Sequence, residues 1–169
     1  MKTIAILVDG KISKKPIANT TGWKKRRAAR AIIIDNQNKI PLIWINKHQF
    51  HKIPGGGAKE KEEIKKALKR EIMEETGTKV KRINYIGAIK EYWTKGKYYQ
   101  ISYGFTAKIS RKVKSPEYTE DEKTAEMELK WYNKSKALKI MGKDNPPDKI
   151  HKALNLRDYL FLKKAISTN

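Results

Sequence analysis

Three glutamates near the end of a predicted helix are the residues of this chain best suited to chemistry. Glu71 and Glu75 lie four residues apart, with Glu74 beside them, so a helix brings the three carboxylates together on one surface. Two carboxylates about 6 Å apart repel by roughly 3 kcal/mol at an effective dielectric constant of about 20. A divalent cation between them would reverse the sign of that interaction. Taken alone, three glutamates are equally consistent with a solvated acidic turn.

The helix that must position these glutamates is predicted to begin near Lys59–Glu60 and to end at Gly77, a glycine suited to a left-handed cap. An apolar stripe with four-residue spacing should face the core; it consists of Ile64, Leu68 and Ile72. Glutamates in the last turn oppose the helix dipole, and each costs roughly 0.3–1 kcal/mol if exposed. No lysine or arginine lies three or four positions from Glu71 to neutralise it. A local rule that fails in this way points to a functional site.

The spacing of the stretch from Gly56 to Thr78 resembles the signature of the Nudix hydrolases. These Mg-dependent enzymes cleave nucleoside diphosphates linked to another group. The family pattern is Gly, five residues, Glu, seven residues, then Arg-Glu-apolar-any-Glu-Glu-any-Gly-apolar. In this chain it falls on Gly56, Glu62, Arg70, Glu71, Ile72, Glu74, Glu75 and Gly77. Thr78 departs from the final apolar position, and we expect Val80 to take over its packing role.

The resemblance implies a site for Mg2+, with Mn2+ as a substitute. The expected metal ligands are Glu71, Glu74, Glu75 and the backbone oxygen of Gly56. Bound metal would neutralise the diphosphate and generate hydroxide near neutral pH. Glu71, or a glutamate from a later loop, would take the proton from the attacking water. Arg70 is expected to orient the carboxylates rather than to touch the substrate, and Glu62 is expected to be structural.

Nudix hydrolases commonly supply one further glutamate from beyond the signature helix, as a metal ligand or as the base. The charged segment Arg111–Glu126 is predicted to be a loop that could provide it. Glu122 is the first candidate, Glu120 and Glu126 follow, and Glu128 comes last. An acidic loop that contacts only solvent is equally consistent with the sequence.

Three side chains before the signature are candidates for substrate binding. Arg30 lies on a strand that often presents a basic residue to the substrate phosphates in the family, and it projects opposite to its two alanine neighbours. A solvated strand face is the alternative for Arg30. Phe50 and His51 precede the proline–glycine turn, where the family places residues near the base or the diphosphate; a core position is the alternative for Phe50. His51 is not a predicted metal ligand, because no second His or Cys lies at ligand spacing.

The hydrophobic pattern and the resemblance predict an α/β fold, a Nudix-like α/β/α sandwich with a mixed β-sheet, formed by residues 1–169 as a single domain. Residues 1–24 are expected to form an edge hairpin and a loop, with Thr3–Val8 and Lys11–Ser13 as strands. The further expected elements are a hairpin of Ala28–Ile34 and Ile40–Ile45, two long strands at Lys79–Tyr92 and Lys97–Ile109, a last strand at Met127–Tyr132, and helices at Ser135–Met141 and Lys149–Ile166.

The chain has 169 residues, no cysteine and a formal net charge of +21. The longest early apolar run, Ile4–Val8, is too short for a signal peptide or a membrane span, so we expect a soluble, cytosolic protein without a membrane partner. The charge favours an anionic partner such as a nucleotide. The excess of positive charge is mostly lysine and is spread along the chain. A generally lysine-rich composition therefore explains it better than a polynucleotide-binding segment.

Three hypotheses follow for the function. The first is a pyrophosphohydrolase of a nucleoside triphosphate or related nucleoside diphosphate derivative, in a housecleaning role towards modified nucleotides. The second is removal of diphosphate from the 5′ end of RNA, which the positive charge favours. The third is a Nudix-like module that binds a nucleotide or nucleic acid without cleaving it; the intact glutamate set argues against it. The sequence does not indicate the base, the leaving group or the oligomeric state.

Overall fold

The computed structural model describes residues 1–167, which form two β-sheets with helices packed against them. In chain order the strands are β1 Thr3–Val8, β2 Lys11–Ser13, β3 Lys24–Ile34, β4 Lys39–Ile45, β5 Phe50–Lys52, β6 Thr78–Trp93, β7 Tyr98–Lys112 and β8 Met127–Asn133. The larger sheet has the order β2-β1-β6-β7-β3, and the smaller sheet has the order β5-β4-β8. The larger sheet is mixed, because β1 runs parallel to β6 and β3 runs parallel to β7 while β6 and β7 are antiparallel.

Four α-helices of the described chain accompany the sheets, and the first and the last of them pack on opposite faces of strand β3. They are α1 Ile64–Thr76, α2 Glu120–Thr124, α3 Lys134–Met141 and α4 Lys149–Ile166. Ala31 and Ile33 of β3 pack in one apolar cluster with Leu68 of α1. Ile32, between them, packs in the other cluster with Phe161 of α4. The predicted mixed sheet with helices on both sides is therefore confirmed. None of the helices within residues 1–167 has the length and apolarity needed to cross a membrane.

Helix α1 begins at Ile64, so the predicted start near Lys59–Glu60 is wrong. Lys61 has a positive φ of 60°, and the Glu62 side chain turns back to accept a hydrogen bond from the Lys59 amide at 2.9 Å. These residues therefore form a turn ahead of the helix. The end at Gly77 is confirmed: Gly77 is left-handed with φ 65°, and a Cβ there would lie 1.9 Å from the Lys114 carbonyl oxygen.

The predicted hairpin between Ala28–Ile34 and Ile40–Ile45 is wrong. The turn itself is present, because the Asp35 carboxylate accepts hydrogen bonds from the amides of Gln37 and Lys39. However, β3 pairs with β7 along all eleven of its residues, whereas β4 pairs with β5 and β8. The turn therefore passes the chain from one sheet to the other.

Most other elements lie within a few residues of their predicted positions, but β3 begins at Lys24 instead of Ala28, and strand β5 was not predicted. Strands β1 and β2 form the predicted antiparallel edge hairpin. The segment Arg111–Glu126 was expected to be a loop, but it contains the end of β7 and the short helix α2. Thr119 and Glu122 form a reciprocal capping box at the start of α2, and this pairing stabilises a helical turn in an otherwise charged segment.

Candidate active site

Arg70 connects the acidic residues of the signature. Its Nε and Nη2 atoms donate to the two Glu62 carboxylate oxygens at 3.1 and 3.0 Å, and Nη2 also donates to the Gly57 carbonyl oxygen at 3.0 Å. Its Nη1 atom donates to Glu71 at 2.7 Å and to Glu74 at 3.1 Å. The hydrogen bonds between Arg70 and Glu62 are the largest cause of the lowered pKa of Glu62, which falls to about 2. They also raise the pKa of Arg70 above its usual range. Arg70 thus fixes carboxylates from the turn and from the helix relative to one another.

The expectation that no cation neutralises Glu71 is wrong, because Arg70 does so. Adjacent side chains of a helix do not face each other, so Arg70 was not counted as a neighbour of Glu71. The guanidinium is long enough to curl back and reach Glu71 all the same. Thr78, the departure from the signature, is buried and shares a hydroxyl hydrogen bond with Thr76 at 2.7 Å, while Val80 packs against the cluster beneath α1 as expected.

The glycine turn brings the backbone close to these carboxylates. A Cβ on Gly56 would lie 2.2 Å from the Glu71 Oε2 atom, so only glycine leaves room for that carboxylate. The Gly56 oxygen, an expected metal ligand, accepts a hydrogen bond from the Ala29 amide at 2.9 Å. Metal binding by that oxygen therefore depends on its second lone pair. The neighbouring Gly55 oxygen accepts a hydrogen bond from Arg30 Nη1.

Glu75 is the buried member of the glutamate set, with only 2% of its surface exposed. Its carboxylate accepts hydrogen bonds from Lys52 Nζ at 2.5 Å and from the Gly55 amide at 2.6 Å. Burial raises the pKa of Glu75, and the Lys52 charge acts in the opposite direction. Lys52 was not among the predicted site residues. Its one signal in the sequence is its position between Phe50 and the glycine turn, on the same side of a strand as Phe50.

The three signature glutamates line one cavity of about 370 Å³. The complete lining consists of Arg26, Arg30, Lys52, Gly55, Gly56, Gly57, Arg70, Glu71, Glu74, Glu75, Glu117, Thr119 and Glu122. Glu122 thus lies at the cavity as anticipated, where its carboxylate accepts hydrogen bonds from Thr119. Glu117 also lines the cavity and was missed; its amide donates to the Glu74 carbonyl oxygen at 2.7 Å.

The other glutamate candidates lie outside this cavity. Glu120 pairs with Lys123 at 2.6 Å, Glu128 pairs with Lys130 at 2.6 Å, and Glu126 accepts a hydrogen bond from Asn46. The carboxylate oxygens that do face the cavity form a hard donor set of the kind that Mg2+ prefers. The residues present therefore fit a magnesium site, and Glu117 and Glu122 are the glutamates from beyond α1 that line it.

A larger cavity of about 710 Å³ adjoins the acidic one. Three cations line both cavities: Arg26, Arg30 and Lys52. Only 6% of the Arg30 surface is exposed, and its Nε atom has no hydrogen-bond partner among residues 1–167. Burial, followed by the charge of Arg157, lowers the pKa of Arg30 to about 10. A buried cation between two cavities, with an Nε–H group that has no partner in the described chain, is suited to holding an anionic group that spans them.

The larger cavity combines aromatic and aliphatic walls with a polar floor. Its walls include Phe50, Trp93, Tyr98, Met127 and Leu154. On the floor, Gln100 donates to Glu91 at 2.7 Å and to Ser102 at 3.0 Å, and its oxygen accepts from Arg26 at 2.9 Å. Arg157 is 2% exposed, and its Nη1 atom lies 3.6 Å from Glu91 without a hydrogen-bond partner in the described chain. Flat apolar walls and a few fixed polar groups suit a heterocyclic base.

Of the two candidates for base contact, Phe50 and His51, only Phe50 lines the larger cavity. Phe50 is also almost fully buried, in keeping with a core role. His51 projects from the opposite face of β5, where its Nδ1 atom lies 3.1 Å from an Asp144 carboxylate oxygen and its ring packs against Trp44. The side chains of a strand alternate, so neighbouring residues could not both face the cavity.

Comparisons with known proteins agree with this geometry. The sequence profile described as the NUDIX domain matches residues 24–154. An 8-oxo-dGTP diphosphatase from Buchnera aphidicola subsp. Schizaphis graminum (strain Sg) is 37% identical over 71 residues, which cover 40% of this chain and 55% of that protein. The chain thus matches about half the length of this relative.

Two solved structures resemble the fold. The mutator MutT protein from Bacillus halodurans has 25% sequence identity and a TM-score of 0.54, with 68% of this chain and 72% of that chain covered. The E. coli ORF135 protein has 18% identity and a TM-score of 0.57, with 90% of this chain and 94% of that chain covered. The second likeness concerns the fold alone.

Proposed function

The chain belongs to the NUDIX domain family, and from this membership we propose that it is a Mg2+-dependent pyrophosphohydrolase of a nucleoside triphosphate. One observation carries the proposal: an acidic cavity and a cavity suited to a base share a wall of three cations, Arg26, Arg30 and Lys52. A base in the larger cavity would place its phosphates along this wall and against the glutamates.

The proposed ligands of the metal are Glu71, Glu74, Glu75, Glu122 and the backbone oxygen of Gly56. Mg2+, when bound, would neutralise the phosphate charge and activate a water molecule. Glu71 or Glu122 takes the proton from the attacking water. Arg70 holds Glu71 and Glu74 in place through its Nη1 atom. Arg30 and Lys52 bind the phosphate oxygens and stabilise the charge that develops on the leaving group.

For the base we propose a modified purine of the 8-oxoguanine type, which is what the name of the Buchnera protein specifies for that relative. The floor of the larger cavity supports this choice. Arg157 presents an N–H group without a hydrogen-bond partner within residues 1–167, and Glu91 presents a carboxylate beside it. A donor next to an acceptor complements an edge that carries a carbonyl oxygen and an N–H group.

The experiment that tests the function is release of pyrophosphate and phosphate from a nucleotide panel with Mg2+. The panel contains 8-oxo-dGTP, the normal nucleoside triphosphates, sugar nucleotides and dinucleoside polyphosphates. Glu71→Gln should lower kcat at least about 100-fold on the preferred substrate, because a positioned proton acceptor contributes about 10²–10⁴-fold. The control is Glu63→Gln, an exposed glutamate at the N-terminal boundary of the same helix whose side chain makes no capping hydrogen bond and lines neither cavity. Equal rates for the wild type and Glu71→Gln on every nucleotide would refute the catalytic proposal, and tight binding without turnover would identify a binding module.

A second candidate function, removal of diphosphate from the 5′ end of RNA, is favoured by a separate basic groove. This groove has a volume of about 500 Å³ and is lined by Lys25, Arg26, Arg27, Lys59, Lys61 and Tyr99, among others. Arg26 also lines the acidic cavity, so a strand in the groove would lead to the glutamates. An aromatic ring among cations suits single-stranded nucleic acid.

The two candidates differ in their dependence on the groove. Lys59→Glu combined with Lys61→Glu should abolish activity on 5′-triphosphorylated RNA if RNA is the substrate, and wild-type binding should weaken steeply with salt. The same double variant should keep full activity on small nucleotides. Unchanged RNA hydrolysis by the double variant would eliminate this second candidate.

A further inference from the structure

Two of the three histidines of the chain meet at the mouth of the larger cavity, together with an aspartate. His48 ends a single 3-10 turn, Asn46–His48, that follows β4. Asp148 caps α4, and His151 lies in the first turn of that helix. One potential ligand atom from each of the three side chains lies within 4.8 Å of the other two. Neither the proposed hydrolysis nor the signature uses this group.

The aspartate of this cluster is held in place by the helix itself. Its Oδ1 atom accepts hydrogen bonds from the amides of Ile150 at 2.9 Å and His151 at 3.0 Å. Its Oδ2 atom lies 2.5 Å from Nδ1 of the His151 ring. This contact holds one ring nitrogen of His151 beside a carboxylate oxygen, and an ion that replaces the shared proton could bind both atoms. His151 is therefore oriented before any ligand arrives.

The two imidazoles are placed face to face. The ring centroids of His48 and His151 are 3.7 Å apart, with an interplanar angle of 18°, and Phe50 packs against the His151 ring at 5.5 Å. Two positive rings at this distance would repel, so the arrangement favours a neutral His48. A neutral imidazole is the form that binds metal.

We propose that His48, Asp148 and His151 form a binding site for a borderline transition-metal ion such as Zn2+. Imidazole donors select Zn2+, Ni2+ or Cu2+ over Mg2+, which prefers oxygen ligands. The site therefore differs from the acidic cavity both in its residues and in its chemistry. Zn–N bonds of about 2.0–2.1 Å place tetrahedral ligand atoms about 3.3 Å apart, so the Asp148–His151 pair at 2.5 Å must open slightly and any wider pair must close. His48 and His151 are only partly buried, which leaves room for these rotations.

The bound ion would connect two separate segments of the cavity wall. One is the turn after β4, and the other is the start of α4. With three protein ligands, a fourth position stays open towards water or a substrate group at the cavity mouth. Binding would also stabilise the folded chain, because the two segments come together only in the folded state.

The test is a Zn2+ titration, by calorimetry and by competition with a chromophoric chelator, in excess Mg2+ to occupy the acidic cavity. The wild type should bind one Zn2+ that Mg2+ does not displace. His48→Ala, His151→Ala and Asp148→Ala should each weaken Zn2+ binding by at least the roughly 10-fold that even the loss of an outer-shell partner costs. Lys152→Ala, an exposed neighbour of His151, should bind like the wild type. The double variant Glu71→Gln, Glu74→Gln should also retain the tight site.

A spectroscopic readout separates this site from any metal held by carboxylates. Cu2+ bound to the wild type should show nitrogen hyperfine coupling from two imidazoles in electron paramagnetic resonance, and His151→Ala should lose one of the two. Thermal unfolding of each variant without metal verifies that it is folded. Tight Zn2+ binding that survives removal of either histidine would overturn the proposal, and so would binding that excess Mg2+ abolishes.

Discussion

Replacing Arg70 should uncouple the acidic residues of the site. The side chain is 25% exposed and makes five hydrogen bonds: two to Glu62 and one each to Glu71, Glu74 and the Gly57 oxygen. A hydrogen bond to a charged group contributes about 1.5–3 kcal/mol, but shared geometry and partial exposure reduce the sum. We therefore expect Arg70→Met to lower the free energy of unfolding by about 2–4 kcal/mol. Arg70→Lys should recover little, because an ammonium cannot reproduce the two-pronged contact with Glu62.

The loss should depend on pH in a defined direction. Contact with Arg70 depresses the pKa of Glu62 to about 2 in the folded chain, from an ordinary value of 4.5. A carboxyl group with a depressed pKa stabilises the fold fully above its unfolded pKa, and this contribution is lost as the pH falls through the folded pKa. The difference in stability between the wild type and Arg70→Met should therefore be constant above about pH 5 and shrink from there towards pH 2.

Urea unfolding measured across this pH range checks the reasoning. Lys69→Met, which replaces an exposed cation one position away on α1, serves as the matched control and should leave stability nearly unchanged. Raising Mg2+ above the concentration that saturates the wild type should partly restore activity in Arg70→Met, because tighter metal occupancy offsets the repulsion between Glu71 and Glu74 that the guanidinium relieves. A stability loss below about 1 kcal/mol, or one that grows at acidic pH, would refute the assigned role of Arg70.

Three further substitutions probe neighbouring contacts. Gly56→Ala places a Cβ 2.2 Å from Glu71, so kcat should fall at least about tenfold; an unchanged kcat at saturating Mg2+ would contradict this. Lys52→Met leaves the Glu75 carboxylate buried without its cation and should cost about 3–5 kcal/mol in urea unfolding; adding Glu75→Gln should restore most of that stability. Trp93→Ala removes an aromatic wall of the larger cavity and should raise KM about 2- to 10-fold with kcat unchanged; a fall in kcat alone would argue against base stacking.

The local parts of the site could be predicted from the sequence. The four-residue stripe on α1 turns the glutamates away from the core, and Gly77 ends the helix where its left-handed φ is needed. Both features depend on residues within one helical segment. The gathering of Glu71, Glu74 and Glu75 at one cavity follows from the same spacing.

Contacts between distant segments could not be predicted in this way. Arg157 and Glu91 are far apart in sequence yet form the floor of one cavity, and no periodicity relates them. The pairing of Lys52 with Glu75 depends on how β5 docks beside α1. Likewise, a short turn between two apolar strands favours a hairpin, and the sequence alone does not show that β4 joins a second sheet.

Successive residues of β3 face opposite sides of the sheet and have different roles there. Ala29 and Ala31 pack in the cluster beneath α1, whereas Arg30, between them, reaches the two cavities on the other side. A slip of one residue along β7 would drive a guanidinium into the apolar layer and leave a methyl group between the two cavities, where the proposed function requires a cation. Inserting a single residue into β3 should thus cost both the fold and the chemistry, whereas the same insertion in the turn after β3 should be tolerated.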